Sequence, residues 1–146
     1  MESLHAACVA LGDAGVLIRG PSGSGKSTLA LQLADRTGAA LVADDRVRVA
    51  VEAGRLIARP HPGEAGRVEI RGQGLLTVRD LGLPTRPEAA LALAIDLVDT
   101  APRLPDPPED ARILGMTLPC LVLDRSVRTA GLAPLLVCAA LRRREA

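Results

Sequence analysis

The strongest constraint in this chain is Gly20-Pro21-Ser22-Gly23-Ser24-Gly25-Lys26-Ser27, which fits the phosphate-loop pattern G-x-x-x-x-G-K-[ST]. A short β-prone run, Gly15 to Arg19, precedes it, and a run rich in helix formers, Thr28 to Arg36, follows. Strand, glycine loop and helix is the context that distinguishes a phosphate loop from a chance glycine-rich turn. Amides of such a loop, at a helix N-terminus, form a cradle for a polyphosphate, and the glycines let the backbone approach it closely. Lys26 then reaches the β- and γ-phosphates, the Ser27 hydroxyl binds Mg²⁺, and Thr28 closes the phosphate-facing set. Lys26 is also the only lysine; every other basic side chain is arginine.

Composition narrows the possibilities around that loop. A chain of 146 residues makes one ordinary domain with a real core. It has no Phe, Tyr or Trp, so the core must be Leu, Val, Ile and Ala. Without aromatic rings there is no stacking platform for single-stranded nucleic acid, and a net charge of +1 gives no pull toward nucleic acid or anionic lipid. No apolar run approaches the roughly 20 residues of a membrane span, and Met1 to His5 lacks a signal peptide's basic and apolar regions. Cys8, Cys120 and Cys138 are odd in number and widely spaced. They read as reduced thiols of a cytoplasmic protein.

Along the chain, Leu4–Leu11 reads as a strand, and a turn at residues 12–15 returns it as the strand before the loop. The helix after the loop is expected to end near Thr37-Gly38. Ala39–Ala43 is an apolar strand that runs into Asp44-Asp45, and Val47–Ala53 and Leu56–Ala58 form a hairpin. Residues 59–66 read as a loop. Arg67–Arg71 alternates charge and apolarity, as a half-buried strand or a helix entry would. Ala89–Val98 fits helix or strand. The prolines between 102 and 108 mark a stiff exposed connection, Leu118–Leu123 is a strand, and Leu132–Leu141 is a C-terminal helix. Strands outnumber helices, so a simple alternating βα array is excluded.

A phosphate-loop enzyme needs an acid near its metal and a base for its nucleophile. Asp44-Asp45 stands where the acid of a Walker-B strand belongs, and two adjacent carboxylates leaving a strand can take different roles. His5, by spacing alone, is more often structural than catalytic. His61, between prolines, reads as exposed and without chemistry.

Taken together, Leu4-His5, the loop, Leu-Val-Ala-Asp-Asp at 41–45 and Glu69 to Val78 (EIRGQGLLTV) resemble the catalytic domain of bifunctional HPr kinase/phosphorylase. They match its His strand, its G-x-S-G-x-G-K-S loop, its L-V-A-D-D motif and its E-x-R-G-x-G-I signature, in that family's order. The resemblance covers nearly the whole chain. It implies an α/β phosphate-loop domain with a mixed, strand-rich sheet related to phosphoenolpyruvate carboxykinase. The implied activity is ATP- and Mg²⁺-dependent phosphorylation of a serine on an HPr-like phosphocarrier, with phosphorolysis to pyrophosphate as the reverse partner reaction. The implied roles are Lys26 on the phosphates, Ser27 and Glu69 on Mg²⁺, Asp45 as acid/base, Asp44 in support, His5 in the active site and Arg103 as an active-site arginine. The family's hexamer implies a homo-oligomer.

Three departures carry expectations of their own. The family's N-terminal domain is missing, so residues 1–146 are expected to be one catalytic domain. Thr28 replaces the family's usual Glu. The basic P-V-R-P-G-R-N loop of phosphorolysis has become Leu123 to Thr129, retaining Arg125 and Arg128 but losing the prolines and glycine that would fix them. That segment is expected to wander. Two other readings of the loop are a small-molecule kinase, against which the lack of a helical lid counts, and a nucleotide-sensing regulator without turnover.

Overall fold

A computed structural model describes residues 1–145. Among them are twelve strands and three helices in the order β1 (Glu2–Leu4), β2 (Ala6–Leu11), β3 (Ala14–Arg19), α1 (Lys26–Ala34), β4 (Ala39–Ala43), β5 (Val47–Glu52), β6 (Arg55–Pro60), β7 (Arg67–Ile70), β8 (Gly74–Thr77), β9 (Ala89–Leu97), β10 (Ala111–Ile113), β11 (Met116–Leu118), β12 (Cys120–Leu123), α2 (Arg125–Thr129) and α3 (Ala133–Glu145). This is the mixed, strand-rich α/β sheet expected. None of the described helices is long and apolar enough to cross a membrane.

Eight strands form one sheet in the order β1-β5-β6-β9-β3-β2-β4, with β12 also paired to β9. The first two residues of β9 pair with β6, its last four pair with β12, and its other edge runs parallel to β3. Alternation then explains the two-sided core. Ala7, Val9, Val16 and Ile18 face α1 and α3, where Leu29, Leu33, Val137 and Leu141 pack. Ala6, Cys8, Ala10 and Leu17 face the other way, under Val47, Val49, Ile113 and Leu118. Side chains of successive strand residues point to opposite faces, so strands buried on both faces must be continuously apolar. The Ala/Leu-rich β9 fits helix by propensity; a slot between two packed layers decides for strand.

Direction matters more for the site than order does. β3, β4, β9 and β12 all run the same way, and β2 runs against them. The phosphate loop, Asp44-Asp45, Val98-Asp99 and α2 therefore leave the sheet at one edge. The first residues of β2, next to His5, meet them there. Open α/β sheets bind ligands outside the carboxyl ends of their strands.

The structure refines several boundaries. Leu4–Leu11 is broken at His5, because β1 pairs with β5 whereas β2 pairs with β3 and β4. Helix α1 ends at Ala34, and Gly38 (φ 79°) instead makes the turn into β4. Arg59 and Pro60 extend β6, and Arg67–Ile70 is a strand that forms a hairpin with β8. Pro119 divides Leu118–Leu123 into β11 and β12, and β11 pairs with the unforeseen β10 across a tight turn at Leu114-Gly115, both with positive φ. His61 is half-buried, with Nδ1 unpartnered.

Candidate active site

The loop comes first in the chain and first in the site. Gly23 and Gly25 have φ of 80° and 97°, the left-handed region that side chains resist. Gly20 serves a different need: a Cβ there would come 2.5 Å from Ser24 Oγ and 3.1 Å from Leu97 Cβ. Gly25 caps α1, and no side chain caps its first amides. Those N–H groups are left to an anion. The Ser24 hydroxyl is buried without a partner, and Lys26, only 7% exposed, donates from Nζ to the Gly20 and Pro21 carbonyls at 2.7 and 3.0 Å. A buried ammonium held by neutral carbonyls, beside uncapped amides, is a donor set that fits a polyphosphate.

The two aspartates diverge sharply. Asp44 is buried, and its Oδ1 accepts a 2.7 Å hydrogen bond from Ser27 Oγ. Burial pushes its carboxyl above the ordinary range, the charge of Asp45 adds to that, and the Ser27 hydroxyl opposes it. Asp45 takes a φ of 67°, which turns its side chain outward to 66% exposure, where Oδ1 lies 3.5 Å from His5 Nε2. The Asp45 carbonyl in turn accepts from the Ala6 amide, closing the break between β1 and β2 around His5.

Ser27, Asp44, Asp45 and Glu69 line one cleft of about 340 Å³, together with Glu64, Arg67 and Leu75. Among the described residues no three His, Cys, Asp or Glu side chains form a ready-made metal cage. Mg²⁺ suits such a site, because it keeps several waters and takes one or two carboxylates plus substrate phosphates. The Ser27–Asp44 pair fits that requirement.

One expectation is met differently and one is corrected. Arg103 is exposed in the 99–110 connection and is not among the residues lining this cleft, whereas Arg67 is. Arg67 and Glu69 are two apart on one strand and so share a face, a signal already present in the alternation at 67–71. The segment after β12 does not wander either. It forms α2, and Asp124 is its cap, accepting from the Val127 amide and the Ser126 hydroxyl. Arg128 donates to the Val98 and Leu123 carbonyls, and Arg125 pairs with Asp99 at 2.9 Å. Both arginines line a second cleft, on the other flank of the loop.

The profile of the family described as HPr Serine kinase C-terminal domain matches residues 1–142. An HPr kinase/phosphorylase of Neisseria meningitidis serogroup C is 44% identical over 92 residues, 60% of this chain and 28% of that protein. A tRNA dimethylallyltransferase of Methylobacterium radiotolerans is 46% identical over 61 residues, 42% of this chain and 20% of that protein. These matches thus span about a quarter of their curated relatives. The solved structure of the Hpr(Ser) kinase/phosphatase from Coxiella burnetii superposes with a TM-score of 0.80 at 30% identity, covering 99% of this chain and 91% of that one.

Proposed function

Because this chain belongs to the HPr serine kinase C-terminal domain family, we propose that residues 1–146 act as one catalytic domain that phosphorylates a serine of an HPr-like phosphocarrier in the cytoplasm. The observation that carries the proposal is the meeting of Ser27, Asp44, Asp45 and His5 beside the phosphate loop. Mg-ATP would supply the phosphoryl group and the cation that offsets its charge. Loop amides hold the polyphosphate, and Lys26 exchanges two carbonyls for phosphate oxygens. Ser27 and Asp44 hold the metal, with Glu69 lining the same cleft. Asp45, outward and solvated, accepts the serine proton, and His5 orients it. Arg67 takes the charge-stabilising place expected of Arg103.

A small-molecule kinase would use the same loop. The open 340 Å³ cleft, with Leu75 exposed at its rim, favours a serine presented on a protein surface. Transfer of label from γ-labelled ATP to a purified HPr homologue, against a panel of small metabolites, tests this directly. HPr should take the label, and Lys26→Ala should abolish the transfer. Labelling of a metabolite but not HPr would reject the proposed substrate, and full activity of Lys26→Ala would reject the site.

A further inference from the structure

The walls of the cleft that holds Ser27 and Asp45 belong to separate pieces of the fold. Ser27 stands on α1, and Asp44-Asp45 follow β4 of the main sheet. Arg67, Glu69 and Leu75 stand on the β7–β8 hairpin, and Glu64 lies just before it. That hairpin is a two-stranded sheet of its own, with no strand pairing to the main one. It docks through Val68 and Val78, which are buried in the same core as Leu29 and Leu33 of α1. Apolar burial is non-directional. Two valines therefore keep the hairpin on the core but do little to fix its distance from Asp45.

Among the described residues, one side-chain hydrogen bond ties residues 61–82 to the rest of the chain: Arg46 Nη2 donates to Glu64 Oε1 at 2.6 Å. Both ends of this bond are anchored. Arg46 follows the left-handed Asp45, and its amide donates to the Asp44 carbonyl at 2.8 Å. The Glu64 amide donates to the His61 carbonyl at 3.0 Å, and its own carbonyl accepts from the Arg67 amide at 3.3 Å. The bond thus joins the residue after Asp45 to the turn that leads into Arg67 and Glu69. Asp44, Asp45, Glu64 and Glu69 all line the cleft. Without Arg46, Glu64 would meet the charge of Asp45 with nothing to offset it, and like charges would push the turn outward. The pair is exposed, at 47% and 35% of the two side chains, so it biases the hairpin only a few-fold.

We propose that Arg46 and Glu64 are positioning residues, whose ion pair latches the β7–β8 hairpin against the Asp45 turn and so sets the width of the cleft and the reach of Arg67 and Glu69 into it. The assignment rests on the reading of that cleft as the site of phosphoryl transfer.

Steady-state transfer from Mg-ATP to HPr by Arg46→Gln, Glu64→Gln, the double variant and Arg46→Lys tests the latch. Each single neutralisation should lower kcat about three- to fivefold, the scale of one exposed ion pair. KM for Mg-ATP should stay within about twofold, because the phosphate loop is not part of the hairpin. The double variant should fall no further than either single, since both remove one interaction. Arg46→Lys keeps the charge and should recover most of the rate. Hydrogen exchange of the whole chain without ligand reads the hairpin itself. Amides between 67 and 78 should exchange about three- to fivefold faster in either Gln variant, with those of β3 unchanged. Losses that multiply in the double variant would make Arg46 and Glu64 independent contacts and overturn the latch. So would an Arg46→Lys rate as low as that of Arg46→Gln, or unchanged exchange between 67 and 78. If wild type transferred no label to HPr, the transfer reading would fall, while faster exchange in the variants would still support the latch.

Discussion

Two neighbouring carboxylates have opposite surroundings. Asp45 sits in a left-handed conformation at φ 67°, a strain of roughly 1–2 kcal/mol for a residue with a side chain. That twist presents its carboxylate to solvent and His5 instead of the interior. Asp45→Asn keeps the volume and tolerates the same φ, so turnover should fall about 10²- to 10⁴-fold, as for loss of one general base, with nucleotide affinity little changed. A steady-state assay with a parallel binding titration checks this; a larger loss of turnover in Asp44→Asn would reverse the roles. Asp44 has a different signature. Its carboxyl is raised in the folded state, mainly by burial, so the folded chain binds that proton more tightly than the unfolded chain does. Its contribution to stability is full below the ordinary carboxylate range and is lost as pH rises through the raised value. Asp44→Asn removes that loss, so at neutral pH without nucleotide it should raise the melting temperature by roughly 2–4 °C, the equivalent of about 1 kcal/mol, while weakening Mg-nucleotide binding. Melts across the acid-to-neutral range, with and without Mg-nucleotide, read both effects; a lower melting temperature without nucleotide would contradict the first. The pair itself was legible from its place after an apolar strand. Its divergence was not, because nothing in Asp-Asp announces a positive φ. The place of Arg103 was not legible for a related reason: a proline-rich connection carries no local sign of where it runs.

Among the elements, α2 changes what the sequence implies. The segment lost its prolines and glycine, yet Asp124 replaces them with a side-chain cap. Asp124→Ala should cost about 0.5–2 kcal/mol, seen as a lower melting temperature. Arg128 is nevertheless committed to backbone carbonyls, and both arginines face the cleft away from Asp45. Phosphorolysis should therefore remain slower than the kinase reaction. Pyrophosphate release from phosphoserine-HPr at high phosphate, set beside the forward rate under the same Mg²⁺, measures it; an equal or faster reverse rate would contradict this. The cause would be misdirected arginines and not disordered ones. Helix α1 and strands β3 and β4 could be read from local pattern and the loop that joins them. The hairpin of β10 and β11 could not, because three-residue strands beside a proline-rich stretch leave too little periodicity to see.

At the level of the whole molecule, β3 and β9 carry the site. A Cβ on Gly15 would meet the Ala90 carbonyl oxygen at 2.7 Å, backbone against backbone, where nothing flexible can yield. Gly15→Ala should cost about 1–3 kcal/mol as overpacking does. Splaying these strands should also weaken nucleotide binding at a loop this residue never touches; an unchanged melting temperature would contradict the close approach. Sheet order was the least legible property, since pairing between strands far apart in sequence leaves no local trace. The bidentate Arg19–Asp96 pair, at 2.8 and 2.9 Å, joins residues 77 apart. That separation has a meaning in time. A ribosome adding roughly 5–20 residues per second makes Arg19 about 4–15 s before Asp96. Throughout that interval the β2–β3 hairpin exists without the neighbour that closes its open edge, and the phosphate loop hangs from an unsupported strand. Nucleotide should then contribute little to nucleating the fold, because the strand that flanks its loop on one side is made late. Nascent chains stalled before β9 emerges should be protease-sensitive with or without Mg-ATP, and nucleotide protection should begin only once residues 89–97 have cleared the exit tunnel.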